Sequence, residues 1–286
     1  MSEKKTPPAG TARDTHFAKL RRKFRDEKAG GPVFRPRAPI EPGAQPEDGS
    51  VRLYGIHTVR AALDNPRRKI TRLMVTRNAL ARLELSEPLD LPYPAEIVEP
   101  REIDKLVGSD AVHQGALLEA MPLKPKRLGD LKETRLLLVL DQVTDPHNVG
   151  AIMRSAVAFS AGALITTGRH SPQESGVLAK SASGALEHVD HIEVRNLADA
   201  LGELAELGFQ TIGLDSDGPA VLEETFAGER IALVLGAEGK GLRQKTRETV
   251  SALARLDMPG AIRSLNVSNA AAISLYAAHR HLGQTG

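Results

Sequence analysis

The chain has no cysteine and no tryptophan, and only three tyrosines and six phenylalanines in 286 residues. Missing thiols exclude disulfides and cysteine-ligated zinc, and they suit a reducing compartment. Scarce aromatics leave Ala, Val, Leu and Ile to build the cores. No run approaches the roughly 20 apolar residues that cross a bilayer. The opening MSEKKTPPAG lacks the apolar segment of a signal peptide. His, Asp and Glu do not gather at metal-ligand spacing. A soluble, cytoplasmic protein with no metal and no membrane partner is expected.

The charge is unevenly spread. Residues 1–50 hold 11 Lys/Arg against 7 Asp/Glu, net +4, whereas the other 236 hold 27 against 29, net −2. The basic excess lies chiefly in HFAKLRRKFRDEKAGGPVFRPR, in a Pro- and Gly-rich setting with little apolar periodicity. That composition predicts a flexible basic arm over 1–50. It suits either a polyanion partner or a solvated leader.

Ordered structure is expected from VRLYGIHTVRAAL onward. RLMVT, AEIVE and GALLEA read as strands, with helices over His57 to Leu63 and Arg101 to Val107. A small α/β unit over 51–121 follows. MPLKPKRLGDLKE, with two prolines and high charge, reads as a linker over 122–134. From 135 the pattern changes to continuous apolar strands between helices: LLLVL, ALITT, HIEV, QTIGL, IALVL and ARLDM. Strands this uniformly apolar are covered on both faces, so 135–286 reads as a mainly parallel α/β domain.

Open parallel sheets bind ligands beyond the carboxyl ends of their strands, and three such ends are unusual here. After LLLVL comes DQVTDPHNVGAIMRSA, where Asn148 reads as the N-cap of a helix starting near Val149. Gly150 permits close approach to that helix, and Arg154 leans back toward its start. Asn148 either only caps or also binds; Arg154 either pairs with a surface acid or shares a pocket with Asn148. After IALVL comes GAEGKGL, which fits neither the phosphate loop nor the dinucleotide fingerprint. Its Glu238 disfavours a phosphate ligand. After ARLDM comes a Pro-Gly loop and then SLNVSN, with Ser264, Asn266, Ser268 and Asn269 within six positions. One side chain suffices to cap a helix, so this surplus points to a site.

Together these stretches resemble the SpoU/TrmH family of RNA ribose 2′-O-methyltransferases, of the SPOUT class. DPHNVGAIMRSA, LVLGAEGKGLR and SLNVSNAAAISLY match its three ordered motifs, and YGIHTVRAAL and AVHQGALLEA resemble the substrate-binding domain of its ribosomal RNA guanosine branch. The resemblance implies a C-terminal SPOUT domain with a trefoil knot, a homodimer, S-adenosylmethionine as cofactor and RNA as partner, ribosomal before transfer RNA. By position it implies functional side chains at Asn148, Arg154, Glu238, Ser264 and Asn266. It places the cofactor against Leu235, Gly236, Ala237, Leu256, Met258 and Leu265. Asp257 departs from the family's frequent proline, and Asn269 from its frequent valine. Two other readings are weaker: an oxidoreductase lacks the dinucleotide fingerprint, and a non-catalytic RNA binder has no reason to keep the whole set.

The arm's signal is charge rather than shape. Deleting residues 1–50 should weaken RNA binding and flatten its salt dependence, read as the slope of log affinity against log salt. An unchanged slope would show that the arm does not touch RNA.

Overall fold

The computed structural model describes residues 46, 48–87, 90–131, 134–261 and 264–284. The basic arm expected over 1–50 lies outside them except for its last positions.

The first sheet follows from alternation. β1 (Val51–Tyr54) buries Val51 and Leu53 and leaves Arg52 and Tyr54 half-exposed. α1 (Ile56–Asp64) buries a stripe of Ile56, Val59 and Ala62. There follow β2 (Ile70–Val75), α2 (Arg77–Arg82), β3 (Ala95–Ile97), α3 (Pro100–Val107) and β4 (Ala116–Ala120). The order is β1-β4-β2-β3, with β4 antiparallel to both its neighbours and β3 parallel to β2.

The second sheet is built from β5 (Leu136–Asp141), β6 (Ala163–Thr167), β7 (Asp190–Val194), β8 (Gln210–Leu214), β9 (Ala220–Val221), β10 (Ile231–Gly236) and β11 (Ala252–Arg255). Its helices are α4 (Pro146–Ala158), α5 (Gly176–Ala182), α6 (Leu197–Glu206), α7 (Leu222–Thr225), α8 (Gln244–Thr249) and α9 (Val267–Gln284). The strand order is β7-β6-β5-β10-β8-β11-β9, and every described pair is parallel. Continuous apolar strands serve two cores at once. Leu136, Leu138 and Leu140 of β5 face the cluster containing α4, α5 and α9, while Leu137 and Val139 face the one under α6. Among the described residues no helix is long and apolar enough to cross a membrane.

Two local expectations need correction. The strand expected over 254–258 ends at Arg255, because among the described residues β11 has only β8 over 252–254 and the two-residue β9 over 254–255 as partners. Leu256 and Met258 therefore lie in the loop beyond it. The helix expected from Val149 begins at Pro146, because the Asp145 carboxylate accepts from His147 N at 2.9 Å and Pro146 suits a first helical position. Asn148 is inside the first turn and is not the cap. The close approach expected at Gly150 is there, and α5 makes it. A Cβ there would sit 2.5 Å from Ser181 Cβ and 2.8 Å from Leu178 O, both on α5.

The segment read as a linker lies bound to the second sheet. Lys126 forms a parallel bridge with Ile192 on the β7 edge, its N–H donating to His191 O at 2.9 Å. A 3-10 turn at Leu128–Asp130 then buries Leu128.

The two sheets share one apolar cluster, running from Val51 and Leu53 through Leu178 and Ala179 of α5 to Leu138. Beside it is a buried ion network. Arg68, whose side chain is 0% exposed, pairs with Glu174 and Glu187 and donates to Met121 O at 3.0 Å. Asn65 donates to Glu187 at 2.6 Å, and Leu123 N–H donates to Glu174 at 2.9 Å. Burial pushes the Glu174 carboxyl up, against the downward pull of Arg68. Such a network fixes geometry more than it stabilises, but losing one member strands the others. Arg68→Ala should cost about 3–5 kcal/mol in urea unfolding of the full chain, whereas pairing it with Glu187→Leu should recover part of the loss. A single-variant cost near zero would show that water reaches the carboxylates.

Candidate active site

The carboxyl ends of β5 and β10 are adjacent, with Asp141 in register with Gly236. β10 then runs into Ala237, Glu238, Gly239, Lys240 and Gly241. Gly241 N–H donates back to Ala237 O at 2.9 Å, and Gly239 and Gly241 take φ of 74° and 63°. Glycine is the residue that adopts those values without strain. At Gly236 the need is space, because a Cβ would strike the Gly241 carbonyl and Leu242 N. The loop thus folds onto its own strand and presents Glu238 outward.

Glu238 is where the three motifs meet. Its Oε1 accepts from Asn148 Nδ2 at 3.0 Å, from Asn266 Nδ2 at 2.6 Å and from Val267 N–H at 3.3 Å. Asn266 also donates to Asn148 Oδ1 at 3.0 Å. The other end of Asn266 caps α9: its Oδ1 accepts from Ser268 N–H at 2.8 Å and from the Ser268 hydroxyl at 2.5 Å. One asparagine therefore both starts the last helix and ties it to the glycine loop. The surplus in SLNVSN divides accordingly. Ser268 is spent on Asn266, while the side chains of Ser264 and Asn269 are exposed and have no hydrogen-bond partner among the described residues.

Asn148, Glu238 and Asn266 are thus brought together, and Arg154 is not. Six residues further along α4, it lies about 9 Å up the axis and on another face. It is exposed, no acid pairs with it among the described residues, and it lines a concavity of about 450 Å³ with His57, Arg60, Asp64, Ser183 and His188.

The six positions assigned to the cofactor fall on two segments at one end of the sheet, the end of β10 and the connection from β11 to α9. Leu235 is buried at the end of β10, followed by half-buried Gly236 and Ala237. Leu256 and Met258 are half-buried after β11, which is separated from β10 by β8 alone. Leu265 precedes α9 and is 39% exposed. The two strand ends stand about 10 Å apart, two strand spacings. Leu235, Leu256, Met258 and Leu265 bring apolar side chains to the gap, which suits a flat, apolar ring. Asp257 between them is exposed.

Residues that sequence reasoning missed support these loops from below. Asp141 is fully buried, and its carboxylate accepts from Arg243 N–H at 3.0 Å and from Arg243 Nε at 2.6 Å, holding the far end of the glycine loop. An acid ending the run LLLVLD was the available signal, since a buried carboxylate must be paired. The β8–β9 loop also contributes. Asp215 N–H donates to Ala254 O at 2.9 Å, and a Cβ on Gly218 would sit 2.5 Å from the Ala254 carbonyl carbon. His147 and His113 have local roles. His147 Nδ1 is 3.1 Å from the Ser181 hydroxyl, and His113 lies between Gly115 N–H at 3.0 Å and Asp104 at 3.1 Å.

Comparison with known proteins gives one consistent picture. Residues 135–276 match the model of the SpoU rRNA Methylase family, and residues 52–126 match the RNA 2′-O ribose methyltransferase substrate binding model. The 23S rRNA (guanosine-2′-O-)-methyltransferase RlmB of Pseudomonas putida is 35% identical over 239 residues, 80% of this chain and 96% of that protein. Its counterpart from Ralstonia nicotianae is 38% identical over 237 residues, covering 80% and 94%. Among solved structures, the SpoU methyltransferase AviRb from Streptomyces viridochromogenes, in complex with AdoMet, superposes with a TM-score of 0.68 at 22% identity, over 82% of this chain and 91% of that one. An AdoMet-bound rRNA methyltransferase from Sinorhizobium meliloti gives 0.69 at 24%, over 82% and 89%. These two likenesses show the fold.

Asp141→Ala should leave the Arg243 amide without its acceptor. The expected loss of unfolding free energy is about 1–3 kcal/mol, the cost of an unsatisfied group. Urea titration of the full chain would measure it. A change within ~0.5 kcal/mol, the scale of a neutral surface substitution, would show that the loop holds without its buried acid.

Proposed function

The chain belongs to the SpoU rRNA Methylase family, and on that premise we propose that it transfers a methyl group from S-adenosylmethionine to the ribose 2′-hydroxyl of a guanosine in large-subunit ribosomal RNA. The observation that carries this reading is the hydrogen-bonded set Asn148–Glu238–Asn266, which joins the three motif loops at the carboxyl ends of β5 and β10. The guanosine target rests on the names of the curated relatives, which match four-fifths of the chain. A cytosolic location fits such a substrate.

When bound, S-adenosylmethionine supplies a methyl group activated on a sulfonium. Leu235 to Ala237, Leu256, Met258 and Leu265 would hold it, and we read the last segment of the chain as threaded through a trefoil knot there. The chain's own task is to align the ribose hydroxyl and help it lose a proton. Glu238 Oε1 already serves three donors, so Glu238 acts mainly as the anchor that keeps the loops in register. Ser264, exposed beside them, is free to contact the ribose. Arginine does not deprotonate in proteins, so Arg154 is not the base itself. It would hold an RNA phosphate in a bidentate pair, and that pair would polarise the hydroxyl so that its proton passes to water as the methyl is transferred.

Arg154 points away from the cluster in its own subunit, which a homodimer resolves. Leu265, Ile273 and Tyr276 are 39%, 45% and 53% exposed, the last two three positions apart on one face of α9. An apolar strip of this kind beside a site suits a second copy of the chain. In such a dimer each cluster would receive the partner's Arg154. Arg154→Ala should abolish methyl transfer to 23S ribosomal RNA while S-adenosylmethionine affinity is kept, and Arg154→Lys should be nearly as damaging. Mixing Arg154→Ala with Asn266→Ala subunits should restore one working site per mixed dimer. No recovery in the mixture would place Arg154 in its own subunit's site, and normal turnover in Arg154→Ala would remove it from the mechanism.

A further inference from the structure

At the open end of the first sheet, Thr76, Arg77, Asn78, Arg82, Gln114 and Gly115 help line a concavity of about 670 Å³, with Glu99 its one described carboxylate. Arg77 is paired with Glu87 at 3.3 Å, but Arg82 has no acid partner among the described residues. Gln114 is held outward by a left-handed turn, φ 56°, immediately before Gly115. Its Oε1 accepts from Ile56 N–H at 3.2 Å and from Lys180 Nζ at 3.1 Å. Lys180 belongs to α5, which covers the other sheet. Its amine likewise has no acid partner among the described residues. Burial, and then the charge of Arg82, lower the affinity of that amine for its proton.

Lys180 and Arg82 thus flank Gln114, neither of them in an ion pair among the described residues, and the one described carboxylate of the concavity, Glu99, is exposed. Like charges on either side of one side chain repel, and an anion seated between them relieves that repulsion, more so at half-buried Lys180 than at exposed Arg82. The same helix leads onward to the active site. Ser181, next to Lys180, meets His147, and His147 adjoins Asn148 of the Glu238 cluster. Successive contacts of 3.1, 3.1 and 3.0 Å thus connect Gln114 with the methyl-transfer loops.

We propose that the RNA strand approaching the target ribose crosses from the first sheet to the second over Arg82, Gln114 and Lys180, with one backbone phosphate seated between the guanidinium and the ammonium. Gln114 fixes the Lys180 amine and so sets the place of that phosphate. This surface rests on the RNA-methylating reading above, and it gives the substrate-binding part of the chain a phosphate contact shared with the catalytic part.

The test uses the full chain and a 23S ribosomal RNA transcript, with affinity measured over a range of salt. Lys180→Gln and Arg82→Gln should each reduce the slope of log affinity against log salt by about 0.7–0.9, one phosphate's worth. The double variant should fall short of twice that, because both cations serve one phosphate. Lys180→Arg should keep the wild-type slope. Affinity for S-adenosylmethionine and the unfolding midpoint are read alongside, and Arg82→Gln, at an exposed site outside the joint, remains interpretable if Lys180→Gln loosens the fold. Unchanged slopes in both Gln variants of a protein that methylates the transcript would overturn this surface alone. A wild-type protein that binds the transcript without methylating it would overturn the proposed reaction while leaving the slopes to decide the surface. No binding by the wild type would overturn both.

Discussion

A single carboxylate oxygen holds the site in register. Glu238 Oε1 takes two amide side chains and one backbone N–H, and each comes from a segment that the fold alone brings only into the neighbourhood. An ionised acceptor makes hydrogen bonds roughly twice as strong as neutral ones, and here three converge on one atom. Asp141 supports the same loop from beneath through Arg243. Between the exposed acid above and the buried acid below, the glycine loop has little freedom, although two of its residues are glycines with positive φ.

What was legible in the sequence follows from which residues carry their signal locally. LLLVL, ALITT and IALVL read as doubly covered strands because every side chain in them is apolar, and both cores are now visible. ARLDM read too long, since apolar content does not reveal where a strand runs out of partners. Asn148 read as a cap because asparagine caps often; the preceding Asp-Pro pair already supplied a better one. Gly150 did signal close approach, but a glycine cannot say whether ligand or helix approaches. The meeting of Asn148, Glu238 and Asn266 spans 118 positions and was reached only through the resemblance. Asp141 was overlooked because its partner Arg243 lies 102 positions away.

The joint between the sheets has two layers of different chemistry. Inside, Arg68 with Glu174 and Glu187 is dehydrated and geometrically demanding. Outside, Gln114 and Lys180 make a neutral-to-cation contact that leaves charge in excess. The inner layer fixes how the small sheet sits on α5, and the apolar cluster through Leu178 and Ala179 completes the contact. A loose tether would let the first sheet reorient freely; here it is set at one angle to the methyl-transfer loops.

The bound course of the linker has a consequence for solubility. β7 ends the seven-stranded sheet and would otherwise offer an open row of backbone donors and acceptors to any extended chain. Lys126 takes one of those positions, and its ammonium pairs with Asp190 on the same strand at 2.6 Å. The segment that joins the two sheets thus also blunts an edge, placing a charged side chain where another molecule's strand would have to dock. A parallel sheet this apolar is aggregation-prone while its edges are open, and Lys126 on β7 leaves the finished sheet one open edge fewer.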